Sequence, residues 1–379
     1  MLRIAPLFLM FLTFFSCKTE KKEVENQTKE QTPISLKNAF ADDFYVGAAI
    51  NSSHINKTDT LGLNLVTKEY NTITPENIMK WMYLHPAKDT FFFDEADAYV
   101  NLGLENDMHI VGHTLVWHSQ IADWMNTIKD STEMATIIKH HVKTIVSRYK
   151  GKIDSWDVVN EALNEDGSFR TSLLYTVMGD SYLEIAFTEA AKADPEASLV
   201  YNDYNLWKPE KREGVVRLVK KLQAKGVKID GIGMQGHYSI PGPTLKDIED
   251  SIEAFAALGV KVMFTELDIT ALPNPWELDG AAVEQDYSTY EGDITMNPYA
   301  DGMNDSINKA LSVRYKDLFS LFLKHKEAIS RVTFWGVTDR ETWLNDWPIN
   351  GRTNYPLLFD RAYQPKDAYH EIIALKQNN

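Results

Sequence analysis

Apolar and polar positions follow two rhythms along this chain, one succeeding the other. Short runs rich in Val, Ile and aromatic residues read as strands, because such side chains fit a pleated, half-buried surface. They cover Phe44–Ile50, Asn71–Thr74, His109–Trp117, Ile153–Glu161, Ser198–Asn202, Gly231–Tyr238, Lys261–Asp268 and Arg331–Val337. Between them lie longer segments whose apolar residues return every three or four positions, as an amphipathic helix requires. In Met134–Tyr149 the residues Ile137, Ile138, His141, Val142, Ile145 and Tyr149 share one side. Tyr182–Ala193, Glu210–Lys225 and Leu245–Leu258 repeat the pattern, the last stopping at Gly259. Eight alternations of this kind predict an α/β chain closed into a parallel (β/α)8 TIM barrel, a single domain over residues 33–379.

In such a barrel the chemistry sits at the C-terminal ends of the strands, and there the hydrophobic pattern breaks. The fourth strand, Ser155-Trp156-Asp157-Val158-Val159-Asn160-Glu161, ends on an amide and a carboxylate. Alternation puts Asp157, Val159 and Glu161 on one face, and in the seventh strand it does the same for Val262, Phe264, Glu266 and Asp268. Two strands ending on Glu predict a pair of carboxylates meeting over the barrel mouth. The other ends carry Glu76-Asn77 with Lys80-Trp81, His113 to Gln120, Asn202-Asp203-Tyr204-Asn205, Gln235-Gly236-His237, and Trp335 followed by Trp343. Amides, carboxylates, imidazoles and indoles together suit a sugar, which offers hydroxyls to oriented hydrogen bonds and C–H faces to flat rings.

The N-terminus changes the address. Leu7–Phe15 is apolar but too short to span a bilayer as a helix, and with Arg3 before it and Ser16-Cys17 after it residues 1–16 read as a lipoprotein-type signal peptide. Cys17 is the only cysteine of 379 residues, so no disulfide can form within the chain, and it is the expected lipidation site; the alternative is a secreted protein with an incidental thiol. Residues 17–32, almost all Lys, Glu, Asn, Gln and Thr, predict a disordered tether. The expected localisation is exported and membrane-anchored through Cys17, on the periplasmic side or the cell surface. A net charge of −15 argues against nucleic acid and favours a neutral substrate.

Competing motifs fail on context. Gly231-Ile232-Gly233-Met234-Gln235-Gly236 satisfies G-x-G-x-x-G, but Pro241 and Pro243 follow where a nucleotide-binding helix would begin. His113 and His118 are spaced for neither a helical nor a same-face strand ligand pair, so no metal and no cofactor is expected. Neither Gly-x-Ser-x-Gly nor His-Glu-x-x-His occurs.

Thr74-Pro75-Glu76-Asn77 with Lys80-Trp81, Gly112 to Gln120, Trp156 to Glu161, Thr265-Glu266-Leu267-Asp268 and Trp335 to Asp339 together resemble the signature blocks of glycoside hydrolase family 10, the β-1,4-xylanases. The resemblance spans about residues 36–375; residues 273–312 match it least, and Trp276–Met303 reads as a rim on the leaving-sugar side or an inert loop. It implies a retaining endo-acting enzyme on xylan and xylo-oligosaccharides, with Glu161 as acid/base and Glu266 as nucleophile; a monomer is the separate expectation for the chain. It further implies that Asn160 holds a substrate hydroxyl and that His237 and Asp268 pair to orient Glu266. Glu76, Asn77, Lys80, His113, Trp117 and Gln120 would line the glycone side, with Gln235 nearby, Trp335 and Trp343 as a roof and Tyr204 as a platform for the leaving sugar. At about 5.5 Å and an effective dielectric near 20, an ionised Glu266 would destabilise a charge on Glu161 by about 3 kcal/mol, roughly two pKa units, keeping the acid protonated. A barrel glycosidase on cellulose or mixed-linkage glucan, and a non-catalytic xylan-binding lipoprotein, remain the alternative readings.

Overall fold

In the computed structural model, residue 2 and residues 34–273, 287–345 and 347–377 are described. The signal peptide apart from residue 2, the tether and Cys17 therefore lie outside the described residues, as does part of the 273–312 segment. The chain divides between Pro33 and Ile34, and all the architecture below belongs to the second unit.

Nine parallel strands form one sheet: β1 Tyr45–Ile50, β2 Thr72–Pro75, β3 His109–Trp117, β4 Ser155–Asn160, β5 Ser198–Asp203, β6 Gly231–Met234, β7 His237–Ser239, β8 Lys261–Thr270 and β9 Ile329–Phe334. The sheet closes because β9 pairs with β1, Tyr45 opposite Arg331, and β6 pairs with β8, Gly231 opposite Lys261. Strands β6 and β7 are two pieces of one stave, so the barrel has the expected eight. The predicted continuous strand Gly231–Tyr238 breaks at Gln235-Gly236, where Gly236 takes a φ of 85° that a side chain would oppose.

A helix follows each stave and packs its apolar stripe on the barrel. Ser131–Arg148 is capped by Asp130, whose side chain accepts from the Glu133 N–H, and it buries Met134, Ile137, Ile138, His141, Val142 and Ile145. His141 is fully buried, stacked on Trp81 at 3.6 Å between ring centres. Close staves need small residues at a few points. A Cβ on Gly112 would lie 2.1 Å from the Trp156 ring, and one on Gly233 only 2.3 Å from the Asn202 side-chain oxygen. Gly233, the second glycine of the apparent nucleotide motif, thus makes room for a neighbouring strand.

The described part of the poorly matched segment packs on the chain following Trp347. Asn297 Oδ1 accepts from the Thr353 N–H at 3.1 Å, and the Tyr355 hydroxyl donates to the Tyr299 carbonyl at 2.8 Å.

Candidate active site

At the C-terminal ends of the strands opens a cleft of about 340 Å3. Its walls are Glu76, Asn77, Lys80, His113, Trp117, Gln120, Asn160, Glu161, Tyr204, Asn205, Gln235, His237, Glu266, Trp335, Trp343 and Trp347. All the residues expected from the sequence to touch substrate lie in this wall, and Asp268 stands behind it. Two lining residues were not expected: Asn205, next to Tyr204 in a polar strand end, and Trp347, an indole on the loop of Trp343.

Glu161 is not the last residue of a regular strand. The ladder of β4 is irregular between Asp157 and Val159 and ends at Asn160, and Glu161 takes a left-handed φ of 56°, a region L residues avoid. Simple alternation would send Asn160 and Glu161 to opposite faces; this turn brings both into the cleft. Glu161 Oε1 accepts from Gln235 Nε2 at 2.8 Å and Asn160 Nδ2 at 3.1 Å, and Oε2 from Trp117 Nε1 at 2.9 Å. Burial pushes its carboxyl above the usual range; the donors Gln235 and Trp117 pull the other way, and the charge of Glu266 adds to the rise. The expected repulsion from Glu266 is thus present, and desolvation of the Glu161 side chain is a larger cause beside it.

Glu266 sits in the opposite electrostatic setting. Its Oε1 accepts from Asn202 Nδ2 at 2.7 Å, and its Oε2 lies 3.3 Å from His237 Nε2. His237 Nδ1 is 3.0 Å from Asp268 Oδ1, and Asp268 Oδ2 accepts from Trp343 Nε1 at 2.8 Å. Burial works against a charged imidazole at His237, but the carboxylates of Asp268 and Glu266 prevail and push its pKa up to about 10. Both ring nitrogens then carry protons at neutral pH and donate to the two acids. For Glu266, burial favours the neutral acid, yet the bond from His237 and the fields of His113 and His237 hold it below the usual carboxylate range.

The two carboxyls are joined by amides. Asn202 Nδ2 donates to Asn160 Oδ1 at 2.9 Å as well as to Glu266, while Asn202 Oδ1 accepts from the Thr265 hydroxyl at 2.6 Å. Asn202 was missed as a site residue. The signal was its position as an amide at the end of the apolar run Leu199-Val200-Tyr201.

Around this centre, Lys80 donates to Asn77 Oδ1 at 2.9 Å and stands 5.1 Å from the Trp117 ring centre. Burial lowers its pKa, opposed by Glu266, Glu76 and Glu161. His113 Nδ1 lies 2.9 Å from Asp157 Oδ2 and its ring meets Trp335 edge-on at 5.3 Å. Trp343 stacks on Trp347 at 4.7 Å. Among the described residues, the His-containing carboxylate clusters with metal-ligand spacing, His54–Asp59–Glu341 and Glu249–Glu253–His325, do not line the cleft.

Two acidic side chains of opposed pKa, set in an indole- and amide-lined cleft at the mouth of a parallel barrel, define a barrel glycoside hydrolase. The model of glycosyl hydrolase family 10 matches residues 35–375, and the chain belongs to that family. It is 42% identical over 350 residues to endo-1,4-beta-xylanase A of Xylanibacter ruminicola, covering 91% of this chain and 94% of that protein. To a beta-1,4-xylanase of Dictyoglomus thermophilum it is 41% identical over 373 residues, 98% of this chain and 97% of the relative. A family 10 endoxylanase retrieved from sugarcane soil metagenome superposes with a TM-score of 0.85 at 41% identity, covering 90% of this chain and 99% of the other.

Proposed function

We propose that this protein is a retaining endo-1,4-β-xylanase that cuts internal β-1,4-xylosidic bonds through a covalent glycosyl-enzyme intermediate. The observation that carries the reading is the divergence of the two carboxyls, Glu161 raised by burial and Glu266 held low chiefly by its bond from His237. In the first step ionised Glu266 attacks the anomeric carbon while Glu161 gives its proton to the departing glycosidic oxygen. Esterification removes the Glu266 charge, the Glu161 pKa falls by that contribution, and Glu161 then takes a proton from the water that releases the sugar. Asn160 holds the hydroxyl next to the reacting carbon. Glu76, Asn77, Lys80, His113, Trp117, Gln120 and Gln235 hold the glycone under Trp335 and Trp343, and Tyr204 carries the leaving sugar.

Xylan is favoured over glucan because Lys80, Trp335 and Trp343 crowd the glycone side, where glucose brings an extra hydroxymethyl group. Excluding that group is worth about 1 to 3 kcal/mol, so weak action on glucosides accompanies the main activity. A purely binding role has no need of a protonated carboxyl beside an ionised one. The same proposal places the enzyme outside the cytoplasm as a monomer, tethered by residues 17–32 to a lipid on Cys17.

The test follows reducing ends released from xylan and from carboxymethyl cellulose, with Glu266→Ala in parallel. Release from xylan that vanishes in the variant is expected. A folded protein that retards in a xylan gel and releases nothing from either polymer overturns the assignment in favour of a binding protein.

A further inference from the structure

The strained backbone that presents Glu161 is held by a side chain outside the cleft wall. Arg170, on the loop after β4, donates from Nε to the Glu161 carbonyl at 3.2 Å. Its Nη2 donates to the Leu163 carbonyl at 3.2 Å and to the Tyr204 hydroxyl at 2.9 Å. The N–H of Arg170 returns to the Ala162 carbonyl at 2.8 Å. One planar guanidinium thereby ties the backbone carrying the acid to the ring of the leaving-sugar platform.

A second, buried anchor grips the same two points. The Ala162 N–H donates to the Tyr201 hydroxyl at 3.1 Å, and that hydroxyl donates to Asp203 Oδ2 at 2.5 Å. Asp203 Oδ1 accepts from the Tyr204 N–H and pairs with Lys211, each at 2.9 Å. Lys211 is fully buried, with its Nζ 3.4 Å from the Tyr204 ring centre. The peptide that follows the left-handed Glu161 is thus held twice, at its carbonyl by Arg170 and at its N–H by Tyr201, and each fixing device also holds Tyr204.

We propose that Arg170 is a positioning residue that sets the acid Glu161 and the platform Tyr204 as one unit, so that a sugar seated on Tyr204 meets a proton already aimed at its glycosidic oxygen. The proposal rests on the roles assigned above to Glu161 and Tyr204. Without Arg170 the Glu161 carbonyl loses its donor and the turn relaxes, and a displacement of about 1 Å at a reacting group costs on the order of 10²-fold in rate. That loss falls on proton delivery. A substrate whose leaving group departs unprotonated escapes it.

The experiment compares kcat/KM, which reports the step up to the glycosyl-enzyme, on xylo-oligosaccharides and on 2,4-dinitrophenyl β-xylobioside. Arg170→Met is expected to lose about 10- to 100-fold on the oligosaccharides while staying within a few-fold of wild type on the aryl substrate. Arg170→Lys does not restore the rate, because an ammonium lacks the flat fork that reaches three acceptors. Tyr201→Phe, which deletes only the hydroxyl that holds the Ala162 N–H beside the same turn, shows the same selectivity in smaller measure and decides the matter if the Arg170 variants fail to fold. Equal losses on both substrates, or no loss on either, overturn the proposal. Glu161→Ala is the separate control: if it too loses both substrates alike, the role of Glu161 as acid fails, whatever the Arg170 variants do.

Discussion

Glu161 and Glu266 are chemically the same side chain, and their neighbours alone set them apart. Trp117 donates to Glu161, which favours the ion, so Trp117→Phe raises the Glu161 pKa further. The acid works while protonated and fails as pH rises through its pKa, so the alkaline limb of kcat/KM moves to higher pH in this variant. His237→Asn acts on the other limb. It removes the donor and the positive charge that hold Glu266 low, so Glu266 protonates at a higher pH. The nucleophile works while ionised, and activity is then lost sooner as pH falls. A pH profile of each variant reads both shifts, and an unmoved limb in either would detach that neighbour from its carboxyl. Glu161→Ala should cost about 10² to 10⁴ in kcat/KM on xylan, the usual worth of a general acid. Except for Asn205 and Trp347, the lining residues were legible because they are polar or indole residues at or soon after a strand end, where a plain turn would be expected. What the sequence concealed was the larger cause of the Glu161 pKa, because burial of a carboxyl depends on how Trp117, Asn160 and Gln235 close over it.

At the scale of elements, periodicity identified the staves and failed where function bends them. The stripe of Ser131–Arg148 was readable residue by residue, since a helix follows a fixed period. The break of the sixth stave and the left-handed turn at Glu161 depart from period two, and no pattern in composition announces them. Gly233 shows the tightness of this arrangement. A methyl group there would push on Asn202 Oδ1, and Asn202 holds both Glu266 and Asn160. Gly233→Ala is therefore expected to lose about 1 to 3 kcal/mol of stability by overpacking and to lose activity beyond that, measurable as a lower Tm together with a lower kcat in the protein still folded. A fall in Tm with kcat intact would show that Asn202 adjusts without disturbing Glu266.

For the whole barrel, closure joins residues far apart in the chain. Asp43, just before β1, pairs with Lys326 at 2.9 Å and with Lys376 at 2.6 Å, gathering the ends of the last two barrel helices. Burial would raise the Asp43 pKa, but the two lysines hold it below the usual range. A depressed pKa contributes stability above the ordinary carboxylate value and loses it as pH falls through the folded one. Asp43→Asn should therefore destabilise by up to about 1 kcal/mol near neutrality, with the difference disappearing in acid; chemical denaturation at two pH values checks it. At the other end of the chain, Cys17→Ser should release the protein from the membrane fraction if a lipid on that residue is the anchor. The account as a whole stands on a covalent bond to Glu266. A 2-deoxy-2-fluoro xylobioside with a good leaving group, followed by mass spectrometry of the digested protein, tests that bond directly. One fluorinated disaccharide on the peptide containing Glu266 is predicted; turnover of the reagent with no adduct, or an adduct on another carboxylate, would contradict the account.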